Sequence, residues 1–124
     1  MSFRDRGNPH PFTGSVLPVT LGHEYCGRLM QAPAGSSSDL DVDQSAMVDP
    51  RLCSGSCANY QSSSANGCAK CEFLGLSGHG GGLSEAIAVD ASMRHVIPES
   101  TPLHLAALIE PLSVAQHAAA CAGI

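Results

Sequence analysis

The hydrophobic pattern of the 124-residue chain is uneven. Residues 1–18 mix Pro, Gly and polar side chains without a sustained period. Turns are expected at Pro9-His10-Pro11 and Thr13-Gly14, and the segment is expected to be an extended arm with no core of its own. Glu24 to Met30 reads as a strand. Residues 33–45 read as a polar loop, through Pro33-Ala34-Gly35-Ser36-Ser37-Ser38 and then Asp39, Asp41 and Asp43. Ala46-Met47-Val48 predicts a short strand, stopped by Asp49-Pro50. Residues 51–72 have cysteines but no hydrophobic period, and read as a loop that needs an external constraint to be ordered. Gly78-His79-Gly80-Gly81-Gly82 predicts a flexible turn, and Leu83 to Val89 and Arg94 to Ile97 predict two more strands. After a turn at Pro98-Glu99-Ser100-Thr101-Pro102, Thr101 or Ser100 is expected to cap a helix starting at Pro102, with Leu105, Leu108 and Ile109 as its apolar face. Pro111 restarts the chain, and Leu112 to Ala122 predicts an Ala-rich helix. The expectation is a β-rich body with a helical C-terminal end.

Composition narrows the function classes. A chain of this length supports one domain with a core of ordinary size. Hydrophobic residues make up 44%, against disorder. The net charge of -5, with a pI near 5.5, argues against nucleic acid as a main partner, and the few aromatics offer no stacking platform. No uninterrupted apolar run reaches the ~18 residues of a membrane span, so no membrane partner is expected. Met1-Ser2-Phe3-Arg4-Asp5-Arg6 does not read as a secretory signal, which makes the cytoplasm the expected location. Six cysteines without such a signal point to thiols or metal ligands.

Two groups of residues carry candidate chemistry. Leu17-Pro18-Val19-Thr20-Leu21-Gly22-His23-Glu24-Tyr25 sets an imidazole beside a carboxylate directly after a glycine, and Glu110 follows far downstream in Ile109-Glu110-Pro111-Leu112-Ser113. Nitrogen and carboxylate oxygen both suit a zinc ion that keeps an open position for a substrate oxygen. Cys53, Cys57, Cys68 and Cys71 form a Cys-x3-Cys-x10-Cys-x2-Cys arrangement. Four thiolates suit a closed structural zinc that orders a loop with little core; reduced thiols on a loop, or disulfides formed after purification, are the other readings. Cys26 and Cys121 are expected in the core. His10, His79, His95, His104 and His117 lack a partner at ligand spacing, Glu85 reads as a strand-surface residue, and Asp39, Asp41 and Asp43 read as a solvated acidic loop.

The chain resembles the zinc-dependent medium-chain alcohol dehydrogenases, in the branch of the butanediol and sorbitol (polyol) dehydrogenases. The stretches that carry the resemblance are Pro9 to Glu24 (PHPFTGSVLPVTLGHE), Val48 to Cys53 (VDPRLC), Phe73 to Asp90 (FLGLSGHGGGLSEAIAVD) and Ile97 to Ala118 (IPESTPLHLAALIEPLSVAQHA). It implies a GroES-like catalytic domain, a partly open β-barrel, over residues 19–110. Residues 111–124 would then form a helix leading toward a cofactor domain. It implies that His23 and Glu24 match catalytic-zinc ligands and that Glu110 matches a further carboxylate near the metal. It also implies zinc-assisted hydride transfer from a secondary alcohol, diol or polyol to NAD or NADP, and the reverse reduction of a ketone. A homo-oligomer is compatible with it.

The departures shape the expectation. The family's first zinc-ligand cysteine, in a Cys-Gly-(Ser/Thr)-Asp segment, has no counterpart, and neither does a Gly-x-Gly-x-x-Gly cofactor turn. Asp43-Gln44-Ser45-Ala46 replaces the family's Gly-Asp-x-Val. The family's cysteine lobe runs Cys-x2-Cys-x2-Cys-x7-Cys; aligned on Cys57 and Cys68, it places Ser54 and Tyr60 at the other two ligand positions, with Cys53 and Cys71 nearby. The expectation is therefore a partial catalytic domain that is inactive alone and has no cofactor-binding residue of its own. The alternative is a non-catalytic zinc-binding or interaction domain that uses the cysteine loop and an exposed apolar face.

Overall fold

The structure is a computed structural model that describes residues 14, 16, 19–32, 41–53, 57–62, 67–68, 71–77 and 80–124. The expected arm therefore lies outside the described residues except for Gly14 and Val16, as do Asp39, most of the 33–45 loop, His10 and Gly78-His79. The chain divides into two compact units. The first comprises residues 1–23 and 50–88, the second 24–49 and 89–124.

The second unit is built on a three-stranded antiparallel sheet of β1 (Cys26–Arg28), β2 (Ser45–Val48) and β5 (Arg94–Val96), with β2 in the centre. Cys26 pairs with Met47 and Arg28 with Ser45; Ala46 pairs with Val96 and Val48 with Arg94. Being central, β2 is buried along its whole length. Asp49-Pro50 ends it, as expected, because proline cannot donate to a ladder. A 3₁₀ turn at Ala91–Met93, capped by the Asp90 carboxylate on Ser92 N–H at 2.8 Å, leads into β5. Two helices follow, α2 (Leu103–Ala106) and α3 (Ile109–Ala122). Met47, Ile97 and Ala106 form the core, with Cys26, Leu103 and Ile109 packed against it.

The first unit holds a two-stranded sheet, β3 (Arg51–Leu52) with β4 (Glu72–Phe73), in the register Arg51–Phe73 and Leu52–Glu72. A one-turn helix, α1 (Ala58–Gln61), lies between them, capped by Cys57 Sγ on the Tyr60 N–H. The described residues between 51 and 72 are thus more structured than their lack of period suggests.

Several expectations are corrected. Leu83–Val89 is not a strand: the Leu83 N–H bonds the Leu21 carbonyl at 3.0 Å, the Ser84 hydroxyl closes a turn onto Gly81, and Leu83 is 79% exposed. Neither Thr101 nor Ser100 caps α2. Its N-cap is Pro102, and the Thr101 N–H is used in a turn to the Pro98 carbonyl. The second helix starts at Ile109 rather than Leu112, with Pro111 inside its first turn, where N–H groups lack helical partners anyway. The described residues form two small sheets and no closed barrel. The helical stretch Leu103–Ala122 is, by length and composition, apolar enough to cross a membrane, although it holds Glu110, Gln116 and two histidines. The expectation of no such stretch counted only unbroken apolar runs.

Candidate metal centre

The segment before His23 is gripped by backbone. In the first unit, the Gly82 N–H bonds the Gly22 carbonyl at 2.8 Å. Gly75 packs so tightly that a Cβ on it would lie 1.9 Å from that same carbonyl oxygen, and its φ of +77° is left-handed. Gly22 itself has φ +99°, which turns the chain just before His23. The His23 ring stands edge-on to Phe73, with centroids 6.4 Å apart at 83°. That contact restricts ring rotation and points a nitrogen in a limited set of directions.

In the second unit, Glu24 precedes β1 and Glu110 sits in the first turn of α3. A carboxylate oxygen of each lies within 4.8 Å of the other. Glu24 is exposed and Glu110 half-buried. Two like charges this close repel, and a cation between them reverses that cost. The α3 N-terminus also favours negative charge at Glu110. His23 is the last residue of the first unit and Glu24 the first of the second. One nitrogen and two carboxylate oxygens are a donor set that fits zinc. Beside this site, burial pushes the Tyr25 phenol up, and its hydroxyl makes no hydrogen bond to the described residues.

The four loop cysteines lie in the first unit as two pairs. Cys53 Sγ is 3.7 Å from Cys71 Sγ, and Cys57 Sγ is 3.0 Å from Cys68 Sγ. The register explains the first pair: continuing Arg51–Phe73 and Leu52–Glu72 by one step puts Cys53 opposite Cys71. A turn from the Cys71 N–H to the Cys68 carbonyl, 3.0 Å, sets Cys68 beside them. Burial, then the neighbouring Cys53 thiol, pushes the Cys71 thiol up to about 11. In a tetrahedral zinc site with Zn–S near 2.3 Å, sulfurs are about 3.8 Å apart. The Cys53–Cys71 pair fits that edge, and the Cys57–Cys68 pair is shorter than it.

The remaining candidates fall outside both groups. Cys26 is at the core edge as expected, its thiol on the Leu103 carbonyl at 2.8 Å. Cys121 is exposed rather than buried, because the face of α3 that carries it is uncovered; it lies 3.6 Å from His117 Nε2. His95, His104, Glu85, Asp41 and Asp43 are exposed. Reading by spacing missed Phe73 as the wall of His23 and Gly75 as the support of Gly22. The only signal was their place in the stretch FLGLSG, which carries the resemblance without assigning either a role.

Comparison with known proteins gives these residues a lineage. Residues 4–99 match the alcohol dehydrogenase GroES-like domain. The (R,R)-butanediol dehydrogenase of Neisseria gonorrhoeae is 42% identical over 112 residues, covering 90% of this chain and 31% of that protein. The (R,R)-butanediol dehydrogenase of Bacillus subtilis is 34% identical over 111 residues, covering 89% and 30%. The crystal structure of galactitol-1-phosphate dehydrogenase from Escherichia coli superposes with a TM-score of 0.78 at 31% identity, covering 86% of this chain and 30% of that one. The chain thus spans about a third of the length of the curated relatives it matches. It belongs to the zinc-type medium-chain alcohol dehydrogenase family, through its GroES-like domain.

Proposed function

We propose that this chain is the catalytic-domain portion of a zinc- and NAD(P)-linked dehydrogenase of secondary alcohols, diols or polyols. The observation that carries the reading is the convergence of Glu24 and Glu110 in the second unit, with His23 bonded directly to Glu24. In this reading His23, Glu24 and Glu110 hold a catalytic zinc. When bound, zinc supplies Lewis acidity that makes an alcohol a better hydride donor. The chain's own part is to present one imidazole nitrogen and two carboxylate oxygens. Phe73 limits the imidazole's rotation, and Gly22 sets where the chain turns toward it. No residue is assigned to the nicotinamide, so no NAD-dependent turnover is expected from this chain alone. Cys53, Cys57, Cys68 and Cys71 would hold a structural zinc, residues 19–110 the GroES-like domain, and the cytoplasm the protein.

Zinc per chain, measured after reducing, chelator-free purification of the native sequence and of His23→Ala, Glu110→Gln and Cys68→Ser, tests this. Zinc lost in His23→Ala and Glu110→Gln supports the catalytic site. Zinc lost only in Cys68→Ser supports the second reading, a non-catalytic zinc-binding or interaction domain. A specific observation favours that reading: α3 has no buried residue, and Leu112 on it is 63% exposed.

A further inference from the structure

We infer that the cysteine loop is an oxidation site that closes into two nested disulfides, Cys57–Cys68 and Cys53–Cys71. Three observations carry it, and none depends on the reading of His23, Glu24 and Glu110.

The first is the pairing itself. Within the cluster of four, Cys57 Sγ and Cys68 Sγ stand 3.0 Å apart and Cys53 Sγ and Cys71 Sγ 3.7 Å apart. A sulfur 3.0 Å from its neighbour needs a movement of only about 1 Å to reach the ~2.05 Å of an S–S bond.

The second is the ladder that sets the register. The Leu74 N–H bonds the Pro50 carbonyl at 2.9 Å, which makes 50–74 a hydrogen-bonded position. Positions alternate along an antiparallel pair, so 51–73 is non-bonded, 52–72 bonded and 53–71 non-bonded. At a non-bonded position, facing side chains come closest. Cys53 and Cys71 therefore face each other where a cross-strand link strains the backbone least.

The third is the fastening around the inner pair. Asn59 Nδ2 donates to the Gly67 carbonyl at 2.5 Å, and Cys57 Sγ accepts the Tyr60 N–H at 3.3 Å. Both ends of the inner loop are thus tied within two residues of the thiols. The resulting contacts, 51–73, 52–72, 53–71, 57–68 and 59–67, are nested without crossing. Nested links can form in either order without rethreading the chain.

The chemistry balances with a peroxide as oxidant. One thiol of a pair gives up its proton and attacks a peroxide oxygen as thiolate; the O–O bond breaks, leaving a sulfenic acid and hydroxide, and the hydroxide takes up the released proton to become water. The partner sulfur attacks the sulfenic sulfur, the S–O bond breaks, and a second water leaves with the thiol proton. Each pair loses two hydrogens and two electrons to one hydrogen peroxide. Zinc on the same thiolates occupies the sulfur lone pairs that must attack, so metal-held and disulfide-held states of the loop exclude each other.

The test is peroxide treatment of the whole native chain after zinc removal, followed by non-reducing peptide mapping. The expected result is a fall from six titratable thiols to two, Cys26 and Cys121, with peptides linked 57–68 and 53–71. In Cys57→Ser only the 53–71 link should form, with Cys68 left as thiol. The same oxidation in denaturant should give mixed linkages, which shows that the native pairing comes from the fold. Links to Cys26 or Cys121 in the native chain, a 53–57 or 68–71 link, or four unlinked sulfinic acids would overturn the inference. Zinc content at each stage is read separately, so a chain that never binds zinc yet forms both links sinks the structural-zinc reading and leaves this one standing.

Discussion

The two units are held by different physics. The second, residues 24–49 and 89–124, rests on apolar burial: a central strand with no exposed residue and a core of Met47, Ile97 and Ala106. The first, residues 1–23 and 50–88, has strands of only two residues and buries backbone and thiol as much as side chain, through Gly75, Gly81, Pro50 and Cys68. An apolar core tolerates any shape that fills it, within limits. A backbone-on-backbone contact or a thiol ladder tolerates almost no replacement. The first unit should therefore be the more brittle to single substitutions and the more responsive to metal and oxidant.

The largest effect is expected from Gly75→Ala. The added methyl would sit 1.9 Å from the Gly22 carbonyl oxygen, and alanine resists φ +77°. Two strain mechanisms acting together should cost about 4 kcal/mol. Hydrogen exchange should show protection lost in residues 71–83 and kept in β2. Equal loss in both units would mean they unfold together, and the contrast drawn above would fail.

Met47→Ala tests the other side. Deleting a buried methionine side chain typically costs 2–5 kcal/mol, and the low end, about 2 kcal/mol, is expected because Cys26 and Leu103 at the core edge can relax inward. Thermal unfolding and exchange should place the loss in β1, β2 and β5. The reactivity of Cys57 and Cys68 toward a thiol reagent should stay unchanged. Increased thiol reactivity would tie the loop to the apolar core and break the comparison.

Glu110→Gln comes next. It preserves shape and removes one of two facing charges. Zinc affinity at the proposed centre should fall by more than about 100-fold, beyond the roughly 10–100-fold that loss of an outer hydrogen-bond partner commonly costs. Apo stability should hold or rise slightly, because a like-charge repulsion goes with it. Isothermal titration and a melting curve on the same sample read both. A drop in apo stability without any change in zinc affinity would make Glu110 a structural residue of α3.

The same contrast decides what could be read in the sequence. The second unit was largely legible. Ala46-Met47-Val48 before Asp49-Pro50 is a strand with its stop, and Arg94–Ile97 is β5 to within a residue. One error there concerned where a helix starts: Pro111 reads as a breaker, yet three residues into a helix its missing N–H costs nothing. The first unit was less legible, because its order comes from pairings that leave no period. Gly75 against Gly22, and Cys53 opposite Cys71, are visible only once the chain is folded. Leu83–Val89 reads as a strand, but its first N–H is already committed to Leu21. Of the candidate site, His23, Glu24 and Glu110 were legible as donor types and through the family resemblance. That Glu24 and Glu110 converge was implied by the resemblance alone, since nothing in their spacing along the chain brings them together.

The smallest effect concerns the rim of the second unit. The Ser45 N–H donates to Glu99 Oε1 at 3.3 Å, and Arg28 Nη1 lies 3.3 Å from Glu99 Oε2 while also donating to the Asp43 carbonyl. The Ser45 hydrogen bond, with the Arg28 charge behind it, holds the Glu99 carboxyl below its ordinary value of 4.5. A depressed carboxylate stabilises the fold above its unfolded pKa, and that stabilisation fades as pH falls through the folded value. Glu99→Gln should therefore lower the melting temperature at neutral pH by a small amount, and the difference from the native chain should shrink as pH falls through the folded carboxyl's depressed value. Exposed ion pairs contribute little, so Arg28→Ala should move the neutral-pH melt less than Glu99→Gln does. If Arg28→Ala has the larger effect, the ion pair rather than the Ser45 hydrogen bond fastens this edge, and salt should then weaken it in proportion.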